Sequence, residues 1–488
     1  MSRLTRLLKV TKSISVCGFY FATHRRTKAL ERLYTDFYGL GGLYIKFLQL
    51  LVLRGDLGDI DTGELNDMLA VFDQNQYEPL DVRQTLQSEL GDSAQRITLG
   101  SEAPIAAGSF GQVYGGRLED GTKVAIKILR PTVSKYLHFD LRLISLVGRL
   151  ITMFRPNGFL SLMDVLRDFK RLTISETDYI TEARTANQIY QRLADNPVIG
   201  IPRTFSQLCT RHVLVQEYVD GVALSELMAK VPAESIRQYV WERFNTNLDY
   251  VMEAFAYESL AAVFEDGGAH GDPHPGNIYI RRDNQISLID FGIVTDKITR
   301  KTEMLGMLSE YVAVYAGDFS PERFTLRMMD AFVPKLTRSL YVISRAYGVN
   351  LAERVMVLIS DIAGQELRSQ PSGSETDKMI QNYKILNLFM NVVNHDNRFG
   401  ITADIESLAF FRSSIMYLHL SDRLCISRET VSRAYQRILI DYGDQRTAYN
   451  VNHGIETLDE SFHFIANWLD RLHYSDPISY DKIAKAIG

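Results

Sequence analysis

Three side chains with oxygen ligands stand at fixed intervals near the middle of this chain. Asp272 lies within His270-Gly271-Asp272-Pro273-His274-Pro275-Gly276-Asn277, and Asp290 of Asp290-Phe291-Gly292 follows after one short strand pattern. The set suits phosphoryl transfer: Asp272 would orient an attacking hydroxyl or water, while Asn277 and Asp290 would hold Mg²⁺ against phosphates. Pro273, Pro275 and Gly276 stiffen the loop, so that it aims polar groups rather than merely linking two elements. A polar surface turn beside an unrelated strand cap is the plainer alternative. His270 and His274 are read as backbone partners, because hard Mg²⁺ prefers oxygen ligands.

Phosphates need a cradle, and Ala106-Ala107-Gly108-Ser109-Phe110-Gly111-Gln112-Val113 offers one. Its small residues let backbone N–H groups approach phosphate oxygens, with Val113 placed to cover a base. A glycine-bearing bend alone is more often a plain hairpin. Here Val124-Ala125-Ile126-Lys127 supplies the next strand, from which Lys127 would reach the α- and β-phosphates. The lysine in turn needs a carboxylate. Ser175 to Ala183 carries Glu176, Asp178 and Glu182 on what reads as one helix, and like charges four apart on a helix face invite a cationic partner. Glu182 is assigned to Lys127; solvated acids balanced by Arg171 and Arg184 are the alternative. An adenine would meet backbone groups on the strand Leu214 to Val219, at Glu217 and Val219. The cofactors this constellation calls for are ATP and Mg²⁺.

The elements that must position these groups are legible in the apolar spacing. Leu33, Phe37, Leu40, Tyr44, Phe47 and Leu51 recur at helical intervals, with Lys46 and Gln49 one turn apart among them. Residues 61–90 read as further helix closed by Gly91. Asp120-Gly121 marks a hairpin turn between two strands. Helix resumes from Val133 to Leu193, strand from His212 to Val219, and Asp283-Asn284 turns a short hairpin after the octapeptide. The remainder is helical. The resulting class is α+β, divided into a basic arm (1–29), a helical extension (30–90), a strand-bearing lobe (91–221) and a mostly helical lobe (222–488).

A chain of 488 residues, 46% hydrophobic and 23% charged, is globular and long enough for two or three packed units. A net charge of -5 gives no global field for nucleic acid. Three widely spaced cysteines, Cys17, Cys209 and Cys425, indicate a reducing compartment and no zinc cluster. No apolar run is long enough to span a bilayer, so the expected location is cytoplasmic. The first thirty residues hold seven Lys and Arg with no acid. That segment suits a solvated helical arm, a peripheral anchor on anionic lipid, or an organelle transit peptide.

Taken in order, these pieces resemble the UbiB-type atypical kinases, also called the ADCK or AarF family. Lys46-Phe47-Leu48-Gln49 aligns with that family's Lys-x-Gly-Gln extension motif, Pro104 to Val113 with its alanine-rich loop, and Glu176-Thr177-Asp178 with its Glu-x-Asp motif. Lys127-Ile128-Leu129-Arg130-Pro131 is similar to its Lys-Val-Gln-Arg-Pro. Leu48 and Gly108 depart from the pattern, standing where the family usually has Gly and Ala. The resemblance implies a two-lobed protein-kinase-like fold and an extension lying over the active site, with Lys46 meeting Glu176 or Asp178. It also implies ATP hydrolysis or transfer to a small molecule, in isoprenoid-quinone (coenzyme Q) metabolism or lipid homeostasis at a membrane surface. Aminoglycoside-type phosphotransferases share the His-Gly-Asp loop, and a nucleotide-binding pseudokinase scaffold is the rival outside enzymes.

Overall fold

The computed structural model describes residues 2–23, 28, 32, 35–37, 40, 43–44, 46–47, 80–108, 110–154, 162–265, 274–292, 301–316, 318, 321–355, 357–358, 417–418, 420–443, 457–475 and 477–487. The chain divides into two compact units. The first comprises residues 1–195, 201–220 and 290–293, and the second residues 196–200, 221–289 and 294–488.

The first unit opens with α1 (Arg3–Ala22), followed after the extension by α2 (Val82–Leu90). Asp81 caps α2 by accepting from Gln84 N, and Gly91 closes it at φ +57, a left-handed conformation that glycine adopts without strain. Strands β1 (Ile97–Leu99), β2 (Ala106–Ala107), β3 (Gly111–Leu118) and β4 (Lys123–Leu129) come next. Gly121, at φ +86, turns β3 into β4. Three helices follow: α3 (Pro131–Phe154), α4 (Leu162–Glu176) and α5 (Tyr179–Arg192).

Continuing along the chain, β5 (Ile199–Gly200) belongs to the second unit, whereas β6 (Val213–Glu217) returns to the first. The first sheet is antiparallel in the order β1-β3-β4-β6, with β2 paired to β3. Strand alternation gives it two distinct faces. Val124, Ile126 and Ile128 point to one side, where they form a core with Tyr114, Val82, Leu86, Val213 and Val215. Ala125 and Lys127 face the other way, and the register sets Lys127 opposite Val113 on β3 and Leu214 on β6. Leu214 joins a second core with Phe110, Leu137, Leu141, Phe169, Tyr179 and the extension's Leu40, Tyr44 and Phe47. The extension therefore shares its packing with the glycine-bearing loop.

Two polar ties fix the helices of this unit. The Arg6 guanidinium of α1 grips Asp140 of α3 with both carboxylate oxygens, donates to Leu40 O at 2.7 Å, and lies 4.9 Å from the Tyr136 ring centroid. Tyr44 donates to Asp140 Oδ1 at 3.0 Å, and burial together with that carboxylate drives its phenol far above the usual range. Elsewhere His212 bridges Glu89 of α2 and Ser134 of α3, each at 2.9 Å.

The second unit adds β7 (Val222–Ala223), α6 (Leu224–Lys230), α7 (Ala233–Phe244) and α8 (Leu248–Glu265). It continues with β8 (Ile278–Ile280) and β9 (Ile286–Leu288), which complete a sheet in the order β5-β9-β8-β7. The turn between β8 and β9 runs through Asp283 and Asn284 at φ +59 and +58, a region these two residues tolerate. Helices α9 (Lys301–Tyr315), α10 (Pro321–Phe332), α11 (Pro334–Tyr347), α12 (Arg428–Tyr442), α13 (Leu458–Ser475) and α14 (Pro477–Ile487) follow. Helix α8 is buried on nearly all sides, through Val251, Met252, Phe255, Leu260 and Phe264 among others. Met329, Leu336, Leu340, Trp468 and Leu472 form a separate core from α10, α11 and α13. Among the described residues, no helix is long and apolar enough to cross a membrane.

Candidate active site

The lysine-bearing face of the first sheet gathers charge from four separate stretches of chain. Lys127 Nζ donates to Glu182 Oε1 and Oε2 at 2.9 and 3.0 Å, and to Asp290 Oδ2 at 3.3 Å. Lys46 Nζ donates to Glu176 Oε2. Each ammonium also lies over an aromatic ring: Lys127 is 5.0 Å from the Tyr179 centroid, and Lys46 is 5.1 Å from that of Phe110. Cations over ring faces are held by the ring quadrupole, more firmly as water is removed.

The carboxylates are not carried on one continuous helix, as the sequence suggests. Helix α4 ends at Glu176, and α5 begins anew at Tyr179 with Asp178 as its N-cap, accepting from Ile180 N and Thr181 N. The physical reason is competition: an Asp side chain that satisfies first-turn N–H groups favours a fresh helix start over continuation. Two consequences follow for the site. Asp178 spends its acceptor on the backbone, so Lys46 meets Glu176 alone of the two. Glu182 sits one turn into α5, only 2% exposed, aimed at Lys127.

Electrostatics follow from that burial. Loss of water pushes the Glu182 carboxyl up to about 7; Lys127 opposes the rise, and Asp290 adds to it. Burial disfavours the charge on Lys127, but Asp290 and Glu182 outweigh it and hold the ammonium well above the usual lysine range. The Tyr179 hydroxyl is raised by burial, against the pull of Lys127.

Asp290 takes a left-handed φ of +63, rare for a residue with a side chain. Its Oδ1 accepts from Gly292 N at 3.3 Å, and Ser175 at the end of α4 donates to Gly292 O at 2.8 Å. Gly292 leaves space: a Cβ there would come within 3.3 Å of Asp290 Oδ1 and 3.6 Å of both Glu182 Oε2 and Glu176 Cα. The α4–α5 turn thus grips the Asp290 segment from below.

The loop is fastened on its own side. Gly108 N donates to Gly111 O at 2.9 Å, closing a tight bend beside Ala106 and Ala107, which pair with Val113 and Gln112. Arg130 holds that bend through two contacts, its N to Phe110 O at 2.8 Å and its Nη2 to Gly108 O at 3.0 Å. Ala125 lies on the Lys127 face of β4. Glu217 is exposed at the end of β6, opposite Val124, and Val219 is half-buried two residues on. Small loop residues, a charged lysine and a partly exposed carboxylate, Asp290, fit a magnesium nucleotide.

Asn277 belongs to the second unit, where it closes the short turn Pro275–Asn277. Its N donates to His274 O at 2.8 Å and its O accepts from Ile289 N at 3.0 Å. His274 Nδ1 accepts from Gly276 N at 3.1 Å, a backbone role. The Asn284 side chain accepts from Asn247 N at 2.7 Å, which steadies the hairpin that follows Asn277. Asp272, His270, Gln49, Leu48 and Ser109 lie outside the described residues.

Phe110, Ser175 and Tyr179 carry no assigned role in the sequence reading, and Arg130 enters it only as part of the Lys-Val-Gln-Arg-Pro-like stretch. The role of Arg130 could have been found, since it follows the lysine strand within reach of the bend. Tyr179 could not, because an aromatic at a helical apolar position reads as ordinary core.

Comparison with known proteins gives the same class. The chain is 30% identical over 273 residues to "Probable protein kinase UbiB" of Aeromonas salmonicida, covering 54% of this chain and 47% of that one. It is 28% identical over 331 residues to the protein of that name in Cronobacter sakazakii, covering 65% and 57%. The chain thus spans about half the length of the curated relatives it matches. Among solved structures it is similar to one titled as the complex of Rv3197 with erythromycin from Mycobacterium tuberculosis, at TM-score 0.42 and 22% identity over 64% of this chain and 75% of that one. The ABC1 atypical kinase-like domain matches residues 70–320, just over half of the sequence and the stretch that holds Lys127, Glu182 and Asp290, so the chain belongs to that family of kinase-like proteins.

Proposed function

We propose that this chain binds MgATP and acts as an ATPase or as a phosphotransferase toward a small or lipid-linked acceptor. The observation that carries the reading is the sharing of one lysine between Glu182 and Asp290 on one face of a glycine-looped sheet. In this reading Lys127, oriented by Glu182, meets the α- and β-phosphates, and Asn277 and Asp290 hold magnesium. Ala106, Ala107, Gly108, Ser109, Gly111 and Val113 line the phosphates and base, with Ala125, Glu217 and Val219 at the adenine. Asp272 orients the attacking oxygen. Bound magnesium would offset the charge that develops on the transferred phosphoryl group.

The Lys46–Glu176 pair ties the extension to the site, and this supports a small acceptor over a protein. Resemblance to the UbiB-type proteins makes isoprenoid-quinone (coenzyme Q) biosynthesis or lipid homeostasis the setting, with a quinone precursor or lipid as partner. On α1, Arg3, Lys9 and Lys12 are exposed beside Leu4, Leu7 and Leu8. That mix favours peripheral contact with an anionic membrane surface. The test is turnover of MgATP with and without anionic liposomes, comparing wild type with Asp290→Ala and separating free phosphate from labelled products. The reading expects turnover that the variant loses; equal turnover in both would overturn it.

A further inference from the structure

The residue that joins the lysine to the loop is Tyr179. Its ring is 1% exposed and lies beneath the Lys127 ammonium, with the centroid 5.0 Å away. Its hydroxyl reaches the loop: a Cβ added to Gly111 would come within 2.5 Å of the Tyr179 Oη and 2.9 Å of Ile128 O. Gly111 is the first residue of β3, where the loop enters the strand, and stands opposite Leu129 of β4. As the first residue of α5, Tyr179 is fixed by the Asp178 cap on one side and by its own N–H donating to Arg211 O at 3.3 Å. One helix start therefore supplies Lys127 with its carboxylate, Glu182, and also with the aromatic surface on which it rests.

We propose that Tyr179 is a positioning residue that sets two things at once: the height of the loop at Gly111, through its hydroxyl, and the aim of Lys127, through its ring. A tyrosine here does both, whereas phenylalanine does one and leucine neither. Phenylalanine keeps the ring under the ammonium and removes the stop beneath the loop. Leucine removes both. Glycine at position 111 is the complement of that hydroxyl, since any side chain would occupy the same space. The inference rests on the nucleotide reading for its consequences in binding, but its geometric half concerns the chain alone.

The two halves separate in experiment. Hydrogen exchange without nucleotide, over residues 106–113, reads the loop directly. Tyr179→Phe is expected to speed exchange there by about fivefold or more while α5 amides stay as in wild type. With MgATP, Tyr179→Phe should raise the nucleotide Kd and KM several-fold at nearly unchanged kcat, whereas Tyr179→Leu should lower kcat as well. Tyr179→Phe should also restore part of the nucleotide binding lost in Gly111→Ala, because it removes the nearer of the two clashes. Unchanged loop exchange in Tyr179→Phe would overturn the proposal. So would melting of α5 itself, which would make Tyr179 core packing only, and so would equal kinetic losses in the Phe and Leu variants. Wild type that binds no MgATP, with loop exchange still responding to Tyr179→Phe, would leave the positioning of the loop standing and overturn the nucleotide reading instead.

Discussion

Replacing Lys127 with methionine should cost more stability the higher the pH, and the size of that trend follows from Glu182. In wild type, burial lifts the Glu182 carboxyl from 4.5 to about 7 even with the ammonium 2.9 Å away. The native protein therefore holds this proton more tightly than the unfolded chain does. The associated stability is full below the ordinary value and is lost as pH climbs through the raised one. Between about pH 6 and pH 8 a carboxyl of this kind gives up about 1 kcal/mol. Lys127 is what restrains the rise, so in Lys127→Met the carboxyl stays protonated across the same window. The loss then roughly doubles, reaching the full slope for one proton over two pH units. The variant's penalty should thus be larger at the upper pH by about 1 kcal/mol, roughly a tenfold step in equilibrium constant. Lys127 itself stays charged throughout, being held well above 10.5.

Tryptophan fluorescence would follow the wrong part of the molecule, because Trp241 and Trp468 both lie in the second unit. Hydrogen exchange of β4 and α5 amides, corrected for the intrinsic pH dependence of exchange, reports on the right one. A penalty independent of pH would refute the reasoning. So would a trend that persists in the Lys127→Met/Glu182→Gln double variant, where no carboxyl remains to titrate.

Other outcomes can be measured alongside. Asp178→Ala should destabilise α5 by about 1 kcal/mol through loss of its cap, seen as faster exchange in residues 179–183 with α4 unaffected. Arg6→Met should lower stability by about 3–5 kcal/mol because it strands the buried Asp140; Arg6→Met combined with Asp140→Leu should recover much of this in thermal unfolding. Gly108→Ala should leave thermal stability unchanged, since the nearest atom to an added methyl is Gly111 O at 3.9 Å. Any change in its nucleotide affinity then reports the loop's freedom to fold over phosphates.

The hairpin that carries Lys127 was legible because Asp120-Gly121 fixes the turn and β-branched alternation fixes the faces. Lys127 and Val113 land opposite each other for that reason. The break at Asp178 was hidden by periodicity: Ile174, Tyr179, Ile180 and Ala183 continue an approximately helical spacing straight through the cap. A local hydrogen-bonding preference decided the outcome there, and hydrophobic spacing does not report it. The pairing of Lys46 with Glu176 connects residues 130 positions apart, and only the resemblance to a known family pointed to it. Tyr179 was invisible for a third reason, since its role depends on what stands above its ring.

The interruption between α4 and α5 has a consequence for how this sequence can vary. Glu176 is placed by the frame of the first helix and Glu182 by that of the second, each matched to a lysine arriving from elsewhere in the chain. One residue inserted between Asp178 and Glu182 would rotate the latter by about 100° about its helix axis, away from Lys127, with the Lys46 contact left in place. Ile180 and Thr181, by contrast, face outward, so their identities are open. The interval works as a spacer of fixed length whose content is open only at Ile180 and Thr181: substitutions at those two positions are tolerated, whereas a single insertion or deletion disconnects one ion pair from the other.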